Sequence, residues 1–187
     1  MNLHVINHGT TGHLKIQVKG RVAYAAPMAA EGARKTEPRW LTADELETWQ
    51  ALHLVIASLP TALGAQLQRD SDLSFLEYYV LAGLSDQPDH TMRLSKLAIL
   101  ANSELSRLSH LIRRLENRGL VRREPDPDDG RFTNAILTED GYAELVKAAP
   151  GHVELVRQLV FDPLTETERR TLHKALAKII PGLADGS

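Results

Sequence analysis

The sequence has 187 residues with 43% hydrophobic content, enough for one packed domain or for one domain with an appended segment. It contains no cysteine, which excludes disulfides and thiolate metal sites, and it shows neither a run of 18 apolar residues nor a secretory signal pattern. We therefore expect a cytoplasmic protein without a membrane span, and the net charge of −2 argues against indiscriminate nucleic-acid binding.

Residues 1–38 differ in composition from the rest of the chain, with four glycines and scattered threonine, histidine and alanine. We expect a loose or disordered N-terminal extension there and a folded domain over residues 39–187. His4, His8 and His13 lie close together in this extension. The glycines between them disfavour a helix that would let them converge, so we expect no metal site and no cofactor.

Capping boxes mark the first two helices of the folded part. The segment Thr42-Ala43-Asp44-Glu45 precedes apolar residues at three- and four-residue spacing. This pattern predicts a helix over residues 43–69, in which Pro60 is expected to cause a bend. Ser74 and Glu77 form a second capping box at the start of the next helix.

A helix-turn-helix pattern follows a turn and the short extended stretch Met92-Arg93-Leu94. Ser95 is predicted to cap a short helix, and Asn102 or Ser103 is predicted to cap a second helix over residues 103–118. The apolar residues of this second helix are spaced three, four and three apart, which places them on one face: Leu105, Leu108, Ile112 and Leu115.

Two short strands are predicted over residues 120–124 and 132–137, after the helix stop at Gly119. The order of helix, helix and hairpin predicts a mainly α fold with a small β-hairpin wing, a winged helix-turn-helix with its reading head over residues 73–138. Two more helices are predicted over residues 139–181. The first is capped by Thr138 and interrupted or kinked at Pro150-Gly151, and the second is opened by the capping box Thr165–Glu168.

Hydrogen-bond donors concentrate in the second helix of the helix-turn-helix and in the wing. Residues 103–123 hold six arginines and two glutamates, a local charge of +4 on an otherwise acidic chain. Arg131 at the wing tip is placed to enter a minor groove, with Asp129 holding its guanidinium. The predicted DNA-binding residues are Ser103, Ser106, Arg107, Ser109, His110, Arg113, Arg114, Asp129 and Arg131.

The chain resembles the multiple-antibiotic-resistance regulator (MarR) family over residues 40–183. The stretches that carry the resemblance are 73–81, 94–98, 108–121, and Asp129-Gly130-Arg131 followed by Leu137-Thr138-Glu139-Asp140-Gly141. The resemblance implies a homodimer that binds a palindromic DNA operator, a repressor role at its own or a neighbouring gene, and release by a small aromatic or phenolic ligand. Phe132 departs from members with a second wing arginine, which implies fewer wing contacts.

The apolar residues of the helices over 43–69 and 139–181 are too many for a small reading head to cover, which favours a dimer through these N- and C-terminal helices. A monomer with a private helical subdomain is the alternative. Trp49 and His53 share a helix face, and Tyr78 and Tyr79 are candidates to face them around an aromatic ligand, although Trp49 and the two tyrosines are at least as typical of core.

No phosphate loop, nucleophile elbow or carboxylate dyad is visible, so we expect no enzyme activity. Two other functions stay open on the same helical scaffold. One is a DNA-binding protein that needs no ligand, and the other is a module for protein interaction.

Overall fold

The computed structural model describes residues 38–184. The chain divides into two units, Met1–Leu41 and Thr42–Ser187, and all elements below lie in the second. The predictions for the N-terminal extension, including His4, His8 and His13, fall outside the described residues apart from residue 38. No helix of the described part is long and apolar enough to cross a membrane.

The first two helices follow from local capping signals. Helix α1 spans Ala43–Ser71 and helix α2 spans Phe75–Ser85. Thr42 and Ser74 each accept a hydrogen bond from the backbone three residues on, and the glutamate there accepts one from the cap backbone. Both predicted capping boxes are thus confirmed, and Pro60 lies inside one continuous helix.

The small sheet has three strands, whereas the sequence predicted a two-stranded hairpin. Strands β1 (Thr91–Arg93), β2 (Val121–Pro125) and β3 (Thr133–Leu137) are antiparallel in the order β1-β3-β2. The extra strand is the predicted extended stretch before the helix-turn-helix, and it pairs through Thr91 with Ile136. It was missed as a strand because this pairing joins segments more than 40 residues apart.

The helix-turn-helix consists of α3 (Leu94–Leu100) and α4 (Leu105–Asn117). The prediction that Ser95 caps α3 was wrong. The cap position is Arg93, without a side-chain capping bond, because strand β1 runs directly into the helix.

The C-terminal helices are α5 (Glu139–Val156) and α6 (Glu166–Ala184), joined through a π-helical turn at Arg157–Phe161. Of the two outcomes predicted for Pro150-Gly151, an interruption of α5 was wrong, because the helix continues through both residues and the irregular turn comes later. Thr138 caps α5 as predicted, and the Thr165–Glu168 capping box is formed.

The core of the described unit lies where α2, α3 and α4 meet the sheet and α5. Its fully buried side chains come from the end of α1, from the residues just before α2, and from α2, α3, α4 and β2: Leu67, Leu73, Leu81, Leu84, Leu97, Leu108, Ile112, Leu115 and Val121. Helix α5 adds the buried Leu145 and Ala148. This core fixes α4 by one face and leaves its other face outward.

Candidate nucleic-acid interface

Helix α4 begins later than its sequence predicted. Asn102 adopts a left-handed φ of 44°, Glu104 occupies the cap position without a side-chain bond, and the helix starts at Leu105. The prediction that Asn102 or Ser103 caps the helix was therefore wrong, because the left-handed turn shifts the helix start by two residues. Leu105, predicted to join the buried face, is 50% exposed.

The rest of the predicted division of α4 is confirmed. Leu108, Leu111, Ile112 and Leu115 are buried. The outward surface carries hydrogen-bond donors, and its exposed predicted residues are Ser106, Arg107, His110, Arg113 and Arg114. A helix with one face packed and the other carrying donors is the arrangement that reads a major groove.

Three of these basic residues have defined neighbours. Arg114 Nη2 lies 3.1 Å from Oε1 of Glu77, a buried carboxylate that also accepts the Ser74 backbone N–H. Arg114 thus ties α4 to the start of α2, while its side chain stays 64% exposed. Arg113 contacts the His110 ring one turn back along the exposed face.

Arg107 and His110 line a shallow cleft of about 530 Å³ between α4 and the start of α2. Ser74 and Phe75 form the opposite wall of this cleft. The guanidinium of Arg107 has no ion-pair partner among residues 38–184, so its donors are available to an external acceptor.

The three predicted serines differ in whether their hydroxyl groups are free to contact DNA. Ser106 is exposed. Ser109 is half-buried and donates its hydroxyl to the Leu105 carbonyl at 2.8 Å. Ser103 lies before the helix, and its hydroxyl makes one long contact, 3.4 Å, with the Glu104 carbonyl. Of these three, Ser106 is the best placed to donate to DNA.

The predicted pairing of Asp129 with Arg131 at the wing tip is confirmed. Arg131 Nε and Nη2 donate to the two carboxylate oxygens of Asp129 at 2.9 and 2.6 Å, and the Arg131 backbone N–H donates at 3.1 Å. These bonds lower the pKa of Asp129, mainly through the Arg131 side chain. Because the Arg131 side chain is 85% exposed, Asp129 orients a guanidinium that still faces solvent.

A second ion pair organises the wing and was missed from the sequence. Arg93 Nε and Nη2 donate to Asp126 at 2.6 and 3.0 Å. Asp126 is almost fully buried and also accepts the backbone N–H groups of Asp128 and Asp129. Chiefly because of the Arg93 bond, the pKa of Asp126 falls to about 2.

Phe132, which the family resemblance aligns with a second wing arginine of some members, belongs to the same set of wing contacts. The Arg93 guanidinium lies 4.9 Å from the centre of its ring, a cation–π contact. The Phe132 carbonyl accepts the Asp126 N–H, and its own N–H donates to the Asp129 carbonyl. The wing loop is therefore fixed from both ends.

The four predicted effector residues form two separate groups. Trp49 and His53 pair with each other, their ring centres 5.9 Å apart. Tyr78 and Tyr79 instead pair with His152 of α5, at 4.3 and 6.5 Å. No ring contact joins the two groups within residues 38–184.

Tyr78 and His152 lie in the interior of the described unit. Both are buried, and Nδ1 of His152 has no hydrogen-bond partner among the described residues. Burial raises the pKa of Tyr78 and lowers the pKa of His152. Both rings therefore favour their neutral forms near neutral pH.

Known proteins resemble this chain in sequence and fold. A family model described as the MarR family matches residues 73–133. The solved structure of Sco3205, a MarR family transcriptional regulator from Streptomyces coelicolor in complex with DNA, is 42% identical, with a TM-score of 0.75 over 80% of this chain and 93% of that one. AbsC from the same organism is 39% identical, with a TM-score of 0.75 over 80% of this chain and all of that one.

Curated relatives cover less of the molecule. The transcriptional regulator HosA of Escherichia coli O111:H- is 37% identical over 81 residues, 42% of this chain and 57% of that protein. The chain thus matches little more than half the length of HosA. The transcriptional repressor IacR of Pseudomonas putida is 28% identical over 63% of this chain and 69% of that protein. The structural similarity covers nearly whole proteins at about 40% identity, and on that basis the chain belongs to the MarR family of transcriptional regulators.

Proposed function

We propose that this protein is a homodimeric repressor that binds a palindromic operator in double-stranded DNA. The observation that carries the proposal is the division of α4, whose leucine and isoleucine face is buried while Ser106, Arg107, His110 and Arg113 are exposed. A recognition helix needs both faces, one to fix it and one to donate to base edges. The DNA complex of Sco3205 and the repressor name of IacR support the assignment.

The wing supplies the second contact. Arg131 is held by Asp129 in a fixed orientation, so little side-chain entropy is lost when it binds. A narrow minor groove concentrates negative potential and attracts such a guanidinium. The proposed division of labour is base reading by Arg107, phosphate contact by Arg113 and groove-width reading by Arg131.

The dimer is proposed from apolar surface that one protomer leaves uncovered. On α6, Leu172, Leu176, Ile179 and Ile180 are 38–59% exposed along one face. On the first half of α1, Leu54, Val55 and Ile56 are more than half exposed. Exposed patches of this kind mark interaction surfaces, and a second copy of the same helices is the symmetric way to cover them.

Release by a small aromatic ligand is a separate proposal. The Trp49–His53 pair is exposed enough to receive a ring, whereas Tyr78 is buried. A ligand that quenches tryptophan fluorescence and weakens operator binding would support it. Operator binding that withstands a broad screen of phenols and aromatic carboxylates would instead support a DNA-binding protein that needs no ligand.

The test is operator affinity at two salt concentrations, on DNA that the purified full chain selects from random sequence and from its own upstream region. Arg107→Ala should cost about 1–3 kcal/mol per half-site and relax the sequence preference there. Arg113→Ala should weaken all sequences about equally and reduce the salt slope by about one unit per contact.

Arg131→Ala should also weaken binding, most strongly with A·T-rich flanks, and Asp129→Ala should reproduce part of that loss. Arg170→Ala is the matched control, because this exposed arginine of α6 lies outside α4 and the wing and pairs with Glu166. If Arg107→Ala and Arg131→Ala bind the operator as the wild type does, α4 and its wing are not the reading head. Binding to a protein partner without salt-sensitive DNA binding would favour the interaction module.

A further inference from the structure

Leu105 is an apolar residue between polar neighbours along the chain, with Glu104 before it and Ser106 after it. It is the first residue of α4, it is 50% exposed, and the exposed Ser106 and Arg107 follow it. The buried face of the helix begins three residues later with Leu108, which is fully buried. A leucine on the first turn of the helix therefore presents about half of its surface outward.

The local backbone explains this exposure. The left-handed turn at Asn102 and the cap position at Glu104 set the helix start at Leu105. One turn further on, Ser109 donates its hydroxyl back to the Leu105 carbonyl at 2.8 Å. Leu105 thus lies on a formed helical turn, at the flank between the buried face and the outward donors.

We propose that Leu105 determines specificity by packing against the C5 methyl group of a thymine in the major groove. This inference rests on the proposed function, with α4 as the recognition helix. The N-terminal residues of a recognition helix are the ones that reach base edges. Thymine is the only standard base that presents a methyl group there, and an aliphatic side chain is its natural partner.

The neighbouring side chains of Leu105 would contact the bases next to this thymine. Ser106 and Arg107 can donate hydrogen bonds to acceptor atoms of adjacent bases, whereas a leucine side chain has no donor. Leu105 instead loses water-exposed apolar surface when a methyl group covers it. Hydrogen-bond donors and one apolar contact on the same turn would together read a short sequence that includes a thymine.

The experiment deletes the methyl group from the DNA. In the operator selected by the wild-type full chain, each symmetry-related pair of thymines is replaced in turn by deoxyuridine, which lacks only the C5 methyl. Affinities are measured by fluorescence anisotropy at one salt concentration. We expect one pair at which the wild type loses about fourfold per half-site, the effect of one methyl-sized apolar group.

Leu105→Ala should bind the thymine and deoxyuridine operators equally at that pair, with an affinity near that of the wild type on deoxyuridine. Ile99→Ala is the control, since Ile99 is an 81% exposed aliphatic residue of the neighbouring helix α3. It should retain the full methyl dependence. Leu105→Met, with a side chain of similar volume, should retain most of it.

Three results would overturn the inference. The wild type could be insensitive to every deoxyuridine replacement, Leu105→Ala could keep the wild-type penalty, or Leu105→Ala could fail to fold, which would make Leu105 a core residue. Each of these leaves the proposed function intact if Arg107→Ala and Arg131→Ala still weaken operator binding. A wild-type protein that selects no DNA sequence would defeat the proposed function itself.

Discussion

Replacing Gly141 by alanine should destabilise the protein because of a close backbone approach. Gly141 lies in the first turn of α5, in the Leu-Thr-x-x-Gly motif that follows the wing. A Cβ atom added there would lie 2.0 Å from the Leu120 carbonyl oxygen and 2.8 Å from Cδ1 of Leu137. The Leu137 side chain can move aside, but the carbonyl belongs to the backbone.

That carbonyl is held where it is by the start of α5. The Leu120 oxygen accepts the Thr138 N–H at 3.2 Å, and Thr138 Oγ1 donates to the Gly119 carbonyl at 2.7 Å while it caps Gly141 N at 3.0 Å. Since Cβ contacts below 3.0 Å are essentially absent from proteins, α5 and the Leu120 backbone must separate by about 1 Å. Overpacking of this kind costs about 1–3 kcal/mol, and we expect the upper end.

Two other glycines separate this effect from conformational strain. Gly119→Ala meets no atom within 4 Å but has a φ of 74°, so it should cost about 1–2 kcal/mol through backbone strain alone. Gly130→Ala meets neither obstacle and should stay within about 0.5 kcal/mol of the wild type. Thermal melts measure all three, at about 2–4 °C per kcal/mol for a chain of this size. A Gly141→Ala protein that melts with the wild type while Gly119→Ala does not would refute the close-approach argument.

Three further changes test the wing, the core and the dimer. Asp126→Asn should make the free energy of unfolding less dependent on pH in acid. The native pKa of Asp126, about 2, lies below the ordinary value of 3.8, so its contribution to stability is complete above pH 3.8 and is lost as pH falls toward 2. Circular dichroism from pH 5 to 2 should show the smaller loss in the variant. Burial lowers the native pKa of His152, so wild-type stability should fall as pH drops below about 6.5, where the unfolded chain binds the proton. His152→Phe, which keeps a ring against Tyr78, should be flatter between pH 7 and 5.5 in thermal melts, and equal slopes would count against the assignment. Leu176→Glu should convert a proposed dimer into a 20.7 kDa monomer in sedimentation and lower operator affinity, and an unchanged dimer would place the interface elsewhere.

The sequence predicted features that depend on neighbours along the chain. The capping boxes at Thr42 and Ser74 each join residues three apart, and Asp129 lies two residues from Arg131. Such short-range pairs are visible in a sequence because the chain itself brings the partners together. The helix start at Leu105 was an exception among local features, since a left-handed turn, not a serine cap, sets it.

Features that depend on folding could not be predicted in this way. Arg93 and Asp126 are 33 positions apart, and only the pairing of β1 with β3 brings the first of them beside the wing. The separation of Trp49 from Tyr78 also depends on the fold. The end of α1 contributes Leu63 and Leu67 to the buried part of the fold, whereas Trp49, near the beginning of α1, is half exposed. Helical periodicity gives a face, but it does not say which part of a 29-residue helix meets a given neighbour.

The C-terminal end of α4 is the point at which the reading head joins the long helices. Arg118 follows α4, and its Nη1 donates to the Asp72 carbonyl at 2.9 Å, at the end of α1. If the dimer helices set the distance between two reading heads, this bond helps to fix α4 at that distance, because it ties the end of α4 to the end of α1. Arg118→Met should therefore relax the spacing that the dimer requires between half-sites.

The measurement compares the selected operator with one that carries a single inserted base pair between its half-sites. The wild type should lose affinity on insertion because successive major grooves recur every 10–10.5 bp, roughly one turn. A hydrogen bond of this kind contributes about 0.5–1.5 kcal/mol, so Arg118→Met should reduce the insertion penalty by about 2- to 10-fold. Arg122→Met is the control, since Arg122 pairs with Glu124 of its own strand and should leave the penalty unchanged. An Arg118→Met protein with the full wild-type penalty would show that the core contacts of α4, and not this bond, hold the reading head in register.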